Sequence, residues 1–134
     1  MKNVLVIDDE PAIRRALKRV LERAGHKVRV AADGAVGLES LGKHVADVVI
    51  TDIIMPKVNG VDAIKAIVGK FPRVRIVAIS GGGNFSAAQF QPNALKTEAY
   101  LMAAKLAGAH AVLIKPFKTS DVLQAITTAT GESH

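Results

Sequence analysis

The chain of 134 residues has no cysteine, no tryptophan and a single tyrosine, and aromatic residues fill only 4% of its positions. Without cysteine there is no disulfide and no thiolate chemistry, which suits a cytoplasmic location. With so few aromatics the core falls to Val, Ile, Leu and Ala, supplied by a hydrophobic content of 49%. No apolar run approaches the ~20 residues of a membrane span. The N-terminus, one lysine and then an apolar run that stops at acids, lacks the cleavage pattern of a signal peptide. The length suits one domain over residues 1–134, with a sizeable core and no room for a second.

The net charge is +6, which permits an acidic partner without identifying one. Much of the basic charge falls on one amphipathic segment, in Arg14, Arg15, Lys18, Arg19 and Arg23, opposite an apolar stripe of Ile13, Ala16, Leu17, Val20, Leu21 and Ala24. A solvated outer face accounts for this, and a docking surface is the alternative. Direct nucleic-acid binding is not expected, because no aromatic side chain is interleaved for base stacking.

Short runs rich in Val and Ile alternate with amphipathic segments. Strands are predicted at Asn3–Asp8, Lys27–Ala32, Asp47–Asp52, Val74–Ser80 and Ala111–Lys115. Helices are predicted at Pro11–Ala24, Ala35–Leu41, Val61–Lys70, about Asn93–Ala107 and Ser120–Thr130. This (βα)5 order implies an α/β fold, a parallel sheet with helices on both faces. Residues 131–134 read as a frayed end. The connection from Ser80 to Ala111 is about ten residues longer than a helix and two loops require. The surplus falls in GGGNFSAAQFQP, so residues 81–93 read as a loop insertion.

The acids at positions 8–10 have two readings. One is local, an acidic residue beside Pro11 capping the next helix. The other is chemical. Open parallel sheets bind ligands outside the carboxyl ends of their strands, and polar residues stand at that end of four predicted strands: Asp8 and Asp9, Asp52, Ser80 and Lys115. With sheet order 2-1-3-4-5, those ends are neighbours at ~4.8 Å spacing. Three carboxylates so placed repel one another unless a cation joins them. A hard, oxygen-seeking ion, Mg²⁺ or Mn²⁺ in its place, fits that donor set. His26, His44, His110 and His134 show no metal-ligand spacing and read as surface or loop residues. With the ion on Asp8 and Asp9, Asp52 is placed to act as a nucleophile towards phosphorus, Lys115 to neutralise the transferring group, and Ser80 to donate a hydroxyl to it.

The stretches VLVIDDEP, VVITDIIMPKVNG, VAIS and LIKPF together resemble the receiver domain of two-component response regulators, over essentially the whole chain apart from the insertion. The resemblance implies a flavodoxin-like, doubly wound fold with a five-stranded parallel sheet in the order 2-1-3-4-5. It implies phosphorylation of Asp52 by a sensor histidine kinase or histidine phosphotransfer protein. It also implies Mg²⁺ on Asp8, Asp9, Asp52 and the backbone carbonyl of Ile54, with Ser80 as switch hydroxyl and Lys115 as phosphate-binding lysine. A cis Lys115-Pro116 bond is expected.

Such a chain is expected to be a stand-alone phospho-switch that acts on a downstream protein, or passes its phosphoryl group on, without turnover of an external substrate. Three departures qualify the likeness. Val112 stands where the family's switch aromatic is expected. The insertion lies in the loop that should move, which assigns residues 81–93, with Phe85 and Phe90, to the response. Ile54 and Gly82 offer no polar group to orient an attacking water, which implies slow self-dephosphorylation. A second class, a small Mg²⁺-dependent phosphatase of haloacid-dehalogenase type, wants DxD where this chain has adjacent Asp8 and Asp9. A nucleotide or flavin binder wants a phosphate loop where this chain has DDEP.

Overall fold

The computed structural model describes residues 1–53, 60–80 and 102–131. Strands β1 (Asn3–Ile7), β2 (Lys27–Ala31), β3 (Val48–Asp52), β4 (Arg75–Ser80) and β5 (Ala111–Ile114) alternate with helices α1 (Pro11–Arg23), α2 (Gly34–Lys43), α3 (Gly60–Lys70), α4 (residues 102–107) and α5 (Thr119–Thr130). Each predicted strand is present and agrees within a residue at either end. Of the predicted helix about Asn93–Ala107, residues 102–107 are helical, and the rest lies outside the described residues, as do the insertion 81–93 and residues 132–134.

The strands form one parallel sheet in the order β2-β1-β3-β4-β5, as expected. Successive side chains of a strand point to opposite faces, so each apolar strand serves two cores. On one face Val4, Val6, Val48, Ile50, Val77 and Ile79 pack against Leu17 and Leu21 of α1 and Val122 and Ile126 of α5. On the other, Leu5, Ile7, Val49, Ile76 and Ala78 pack against Leu41 of α2, Ile64 and Ile67 of α3 and Ala104 of α4. The strip of α1 that faces the sheet is narrower than expected. Ile13, Leu17, Val20 and Leu21 reach the core, whereas Ala16 and Ala24 are exposed with the outer-face residues Arg15, Lys18, Arg19 and Arg23.

Local chemistry sets the ends of the helices. Pro11 opens α1, and Gly25 follows it in the left-handed conformation at φ 97°. Asp33 caps α2 by accepting the Val36 N–H at 2.9 Å. At the amino ends of the strands, side chains extend the ladder. Asp47 accepts the Asn3 N–H at 2.8 Å, His26 Nδ1 accepts the Lys2 N–H at 3.1 Å, and His110 Nδ1 accepts the Ile76 N–H at 3.0 Å. These two histidines are thus hydrogen-bonded structural residues in their loops. Burial, with the nearby Arg75 charge, holds His110 below its ordinary pKa, which keeps Nδ1 free to accept.

At Gly37 helix α2 lies against β1, where an added Cβ would fall on Ile7 Cδ1 and lie 2.8 Å from Ile7 Cγ1. At Gly42, in the same helix, a Cβ would meet nothing within 4 Å. Gly37→Ala is therefore expected to lower stability by about 1–3 kcal/mol through overpacking. Gly42→Ala is expected to be neutral or to raise it by about 0.5 kcal/mol through helix propensity. Chemical denaturation of the two variants checks the opposed signs. A destabilised Gly42→Ala would show that space at Gly37 is not the cause.

Candidate functional site

The backbone of the sheet ends carries the site. Beyond β1, the Asp8 N–H continues the ladder to the Ala31 carbonyl at 3.1 Å. Asp52 closes β3 opposite Ile79, and the next N–H, of Ile53, bonds to the Ile79 carbonyl at 3.1 Å. The Lys115 N–H bonds to the Ser80 carbonyl at 2.8 Å, so the ends of β4 and β5 are tied directly. The Lys115-Pro116 bond that follows is cis, as expected. Four residues distant in sequence are thereby fixed at one edge of the sheet by the register of buried strands.

Their side chains converge. Lys115 Nζ lies 3.3 Å from Asp52 Oδ2, 3.4 Å from Asp8 Oδ2 and 3.2 Å from Glu10 Oε1. Asp8, Asp52 and Ser80 are buried, while Asp9 is exposed. Asp8, Asp9, Glu10 and Asp52 each offer a carboxylate oxygen, and these oxygens lie within 4.8 Å of one another. Burial is the main force on Asp8. It raises the carboxyl to about 6, aided by the Asp52 charge and opposed by the Glu10 N–H and by Lys115. Burial alone would lower Lys115, but the Asp52, Asp8 and Glu10 carboxylates outweigh it and hold the ammonium above its ordinary value.

Two buried polar atoms among the described residues, Asp8 Oδ2 and Ser80 Oγ, have no hydrogen-bond partner. Buried polar atoms are rarely left so, because each forfeits its hydration. The donor set is all oxygen and rich in carboxylate, and its buried Asp8 Oδ2 has the Lys115 ammonium at 3.4 Å as an ion-pair partner but no hydrogen bond among the described residues. It fits a hard divalent cation, and poorly fits a metal that prefers nitrogen or sulfur.

Asp8, Asp52 and Lys115 meet as expected from the strand ends, and Asp9 joins Asp8 and Asp52 in the carboxylate cluster. Ser80 shares the edge with its hydroxyl buried. The Ile54 carbonyl, Gly82, Phe85 and Phe90 lie outside the described residues. Val112, at the position of the missing aromatic, is half-buried and packs against the core that holds Leu5, Val49, Ile76 and Ala78.

The acids beside Pro11 divide their work differently from a simple cap. Glu10 occupies the cap position of α1 but makes no side-chain cap bond. Instead Asp8 Oδ1 accepts the Glu10 N–H at 2.9 Å, and the Glu10 carboxylate reaches Lys115. Sequence reasoning assigned Glu10 to the start of the helix and missed this contact. The available signal was a third acid next to a pair already expected beside a lysine.

A family model described as the response regulator receiver domain matches residues 4–127. The chain is 33% identical over 126 residues to chemotaxis protein CheY of Thermotoga maritima, covering 93% of this chain and 94% of that protein. It is 30% identical over 129 residues to the DNA-binding transcriptional regulator NtrC of Rhizobium meliloti, covering 96% of this chain and 24% of NtrC. Among solved structures, the receiver domain of NtrX from Brucella abortus aligns with a TM-score of 0.81 at 26% identity, over 97% of this chain and 99% of that one.

Proposed function

The chain belongs to the response regulator receiver domain family, and from that premise we propose that it accepts a phosphoryl group on Asp52 from a histidine kinase or a histidine phosphotransfer protein. The observation that carries this reading is the position of Lys115 Nζ, within 3.4 Å of both the Asp52 and Asp8 carboxylates at one sheet edge. Receiver domains are signalling domains that bind Mg²⁺ through a cluster of acidic residues, and this chain has such a cluster. Asp8, Asp9 and Asp52 would hold the ion here, with the Ile54 carbonyl as a further ligand. When bound, Mg²⁺ supplies positive charge against the oxygens of the transferring phosphoryl group.

In the transfer, a carboxylate oxygen of Asp52 forms a bond to phosphorus while the bond from phosphorus to the donor imidazole nitrogen breaks. The electron pair of the broken bond stays on that nitrogen, and the ring leaves neutral when its other nitrogen carries a proton. The Lys115 ammonium keeps its proton throughout. Its N–H groups turn from the carboxylates to the phosphoryl oxygens, where positioned charge lowers the barrier. The Ser80 hydroxyl, buried and without a hydrogen-bond partner among the described residues, donates to the same group. That hydrogen bond exists only after transfer, which is the differential contact a two-state switch needs. The signal then leaves through contact with a downstream protein or by onward phosphotransfer.

Incubation with Mg²⁺ and acetyl phosphate, followed by intact mass measurement, tests the proposal. One added phosphoryl group is expected in the wild type, and none in Asp52→Asn or after chelation. Equal labelling of Asp52→Asn would refute the assignment.

A further inference from the structure

Lys115 is claimed twice, once by the resting protein and once by the phosphoryl group. An ammonium has three N–H donors. In the resting geometry Lys115 Nζ hydrogen-bonds to Asp52 Oδ2 at 3.3 Å and to Glu10 Oε1 at 3.2 Å, with Asp8 Oδ2 close by at 3.4 Å. A phosphoryl group on Asp52 needs these same donors, so a carboxylate must give one up. Asp8 and Asp52 are buried, whereas the Glu10 side chain is 41% exposed and water can resolvate it. Glu10 is therefore the partner most easily released.

The rest of Glu10 is held in place. Its N–H bonds to Asp8 Oδ1 at 2.9 Å, and its carbonyl accepts from the Ile13 and Arg14 N–H groups at 3.1 Å. The carboxylate thus leaves a fixed backbone at the first turn of α1 and crosses to a lysine 105 positions away in sequence.

We propose that Glu10 is a positioning residue that holds Lys115 in the unphosphorylated state and is displaced by the phosphoryl group, so that this contact opposes phosphoryl binding. The inference rests on the phosphoryl-acceptor reading of Asp52. A contact made in one state biases the equilibrium towards that state, and its removal favours the other.

Binding of beryllofluoride, a phosphoryl mimic, measured by fluorine NMR at saturating Mg²⁺, tests it with two variants. Glu10→Gln removes the charge. Glu10→Asp keeps the charge but is one methylene too short for the contact. Both are expected to bind the mimic about three- to fivefold more tightly than wild type, in line with the modest strength of a partly exposed ion pair. If Glu10→Asp matches wild type while Glu10→Gln does not, repulsion alone is responsible and the positioning role is wrong. If neither variant changes affinity while wild type binds and Asp52→Asn does not, the inference fails and the Asp52 reading stands. Absence of binding to wild type at saturating Mg²⁺ overturns both.

Discussion

Replacing Asp8 by Asn is expected to stabilise the metal-free protein at neutral pH while removing divalent-cation binding. In the metal-free fold the Asp8 carboxyl titrates at about 6 rather than at its ordinary 3.8, chiefly because burial disfavours the charge. A carboxyl raised in the folded state contributes stability that is complete below about pH 4 and is lost as pH rises through about 6. The span corresponds to about 3 kcal/mol for a group with no exposed surface. Asn keeps the acceptor for the Glu10 N–H but never ionises. Thermal denaturation without divalent cations should therefore show Asp8→Asn more stable than wild type by about 2–3 kcal/mol near pH 7.5, with the two converging near pH 4. Added Mg²⁺ should then raise the wild-type midpoint and leave that of the variant unchanged. A variant less stable than wild type at pH 7.5 would show that Asp8 is held by favourable interactions and not strained by burial.

The same cluster predicts the opposite sign for Lys115→Ala. The lysine side chain is 9% exposed and is the ammonium shared by Asp8, Glu10 and Asp52. Removing one partner of a buried ionic group leaves the others uncompensated, at a cost of about 3–5 kcal/mol. Lys115→Ala should lose stability of that order in the metal-free state and regain part of it with Mg²⁺, which replaces the missing positive charge. Its labelling by acetyl phosphate should fall by about 100-fold or more at saturating Mg²⁺, as expected of the proposed role of the ammonium in neutralising the transferring group. A stable variant with near wild-type labelling would remove Lys115 from the account.

The pair of predictions indicates how much was legible in the sequence. Asp8, Asp52, Ser80 and Lys115 could be read because each ends an apolar run, and a parallel sheet brings strand ends together whatever the sequence separation. The two-sided burial of the strands was legible for the same reason, since runs such as VVI offer no polar alternation. The Glu10 contact was not legible. It depends on a side-chain direction chosen between a local cap and a lysine 105 residues away, and the helix-start signal suits either. Nor were the hydrogen bonds of His26 and His110, which depend on strand register. The stripe on α1 was overdrawn at Ala16 and Ala24, because alanine fits an exposed or a buried helix face equally well.

The central claim is that Asp52 is the oxygen nucleophile towards phosphorus. Borohydride reduction of the protein after treatment with Mg²⁺ and acetyl phosphate, followed by peptide mass spectrometry, tests it directly, because reduction converts an aspartyl phosphate to homoserine. The account predicts homoserine at position 52 alone, dependent on Mg²⁺. Homoserine at Asp8 or Asp9, or a phosphoryl group on Ser80 with position 52 unmodified, would contradict it.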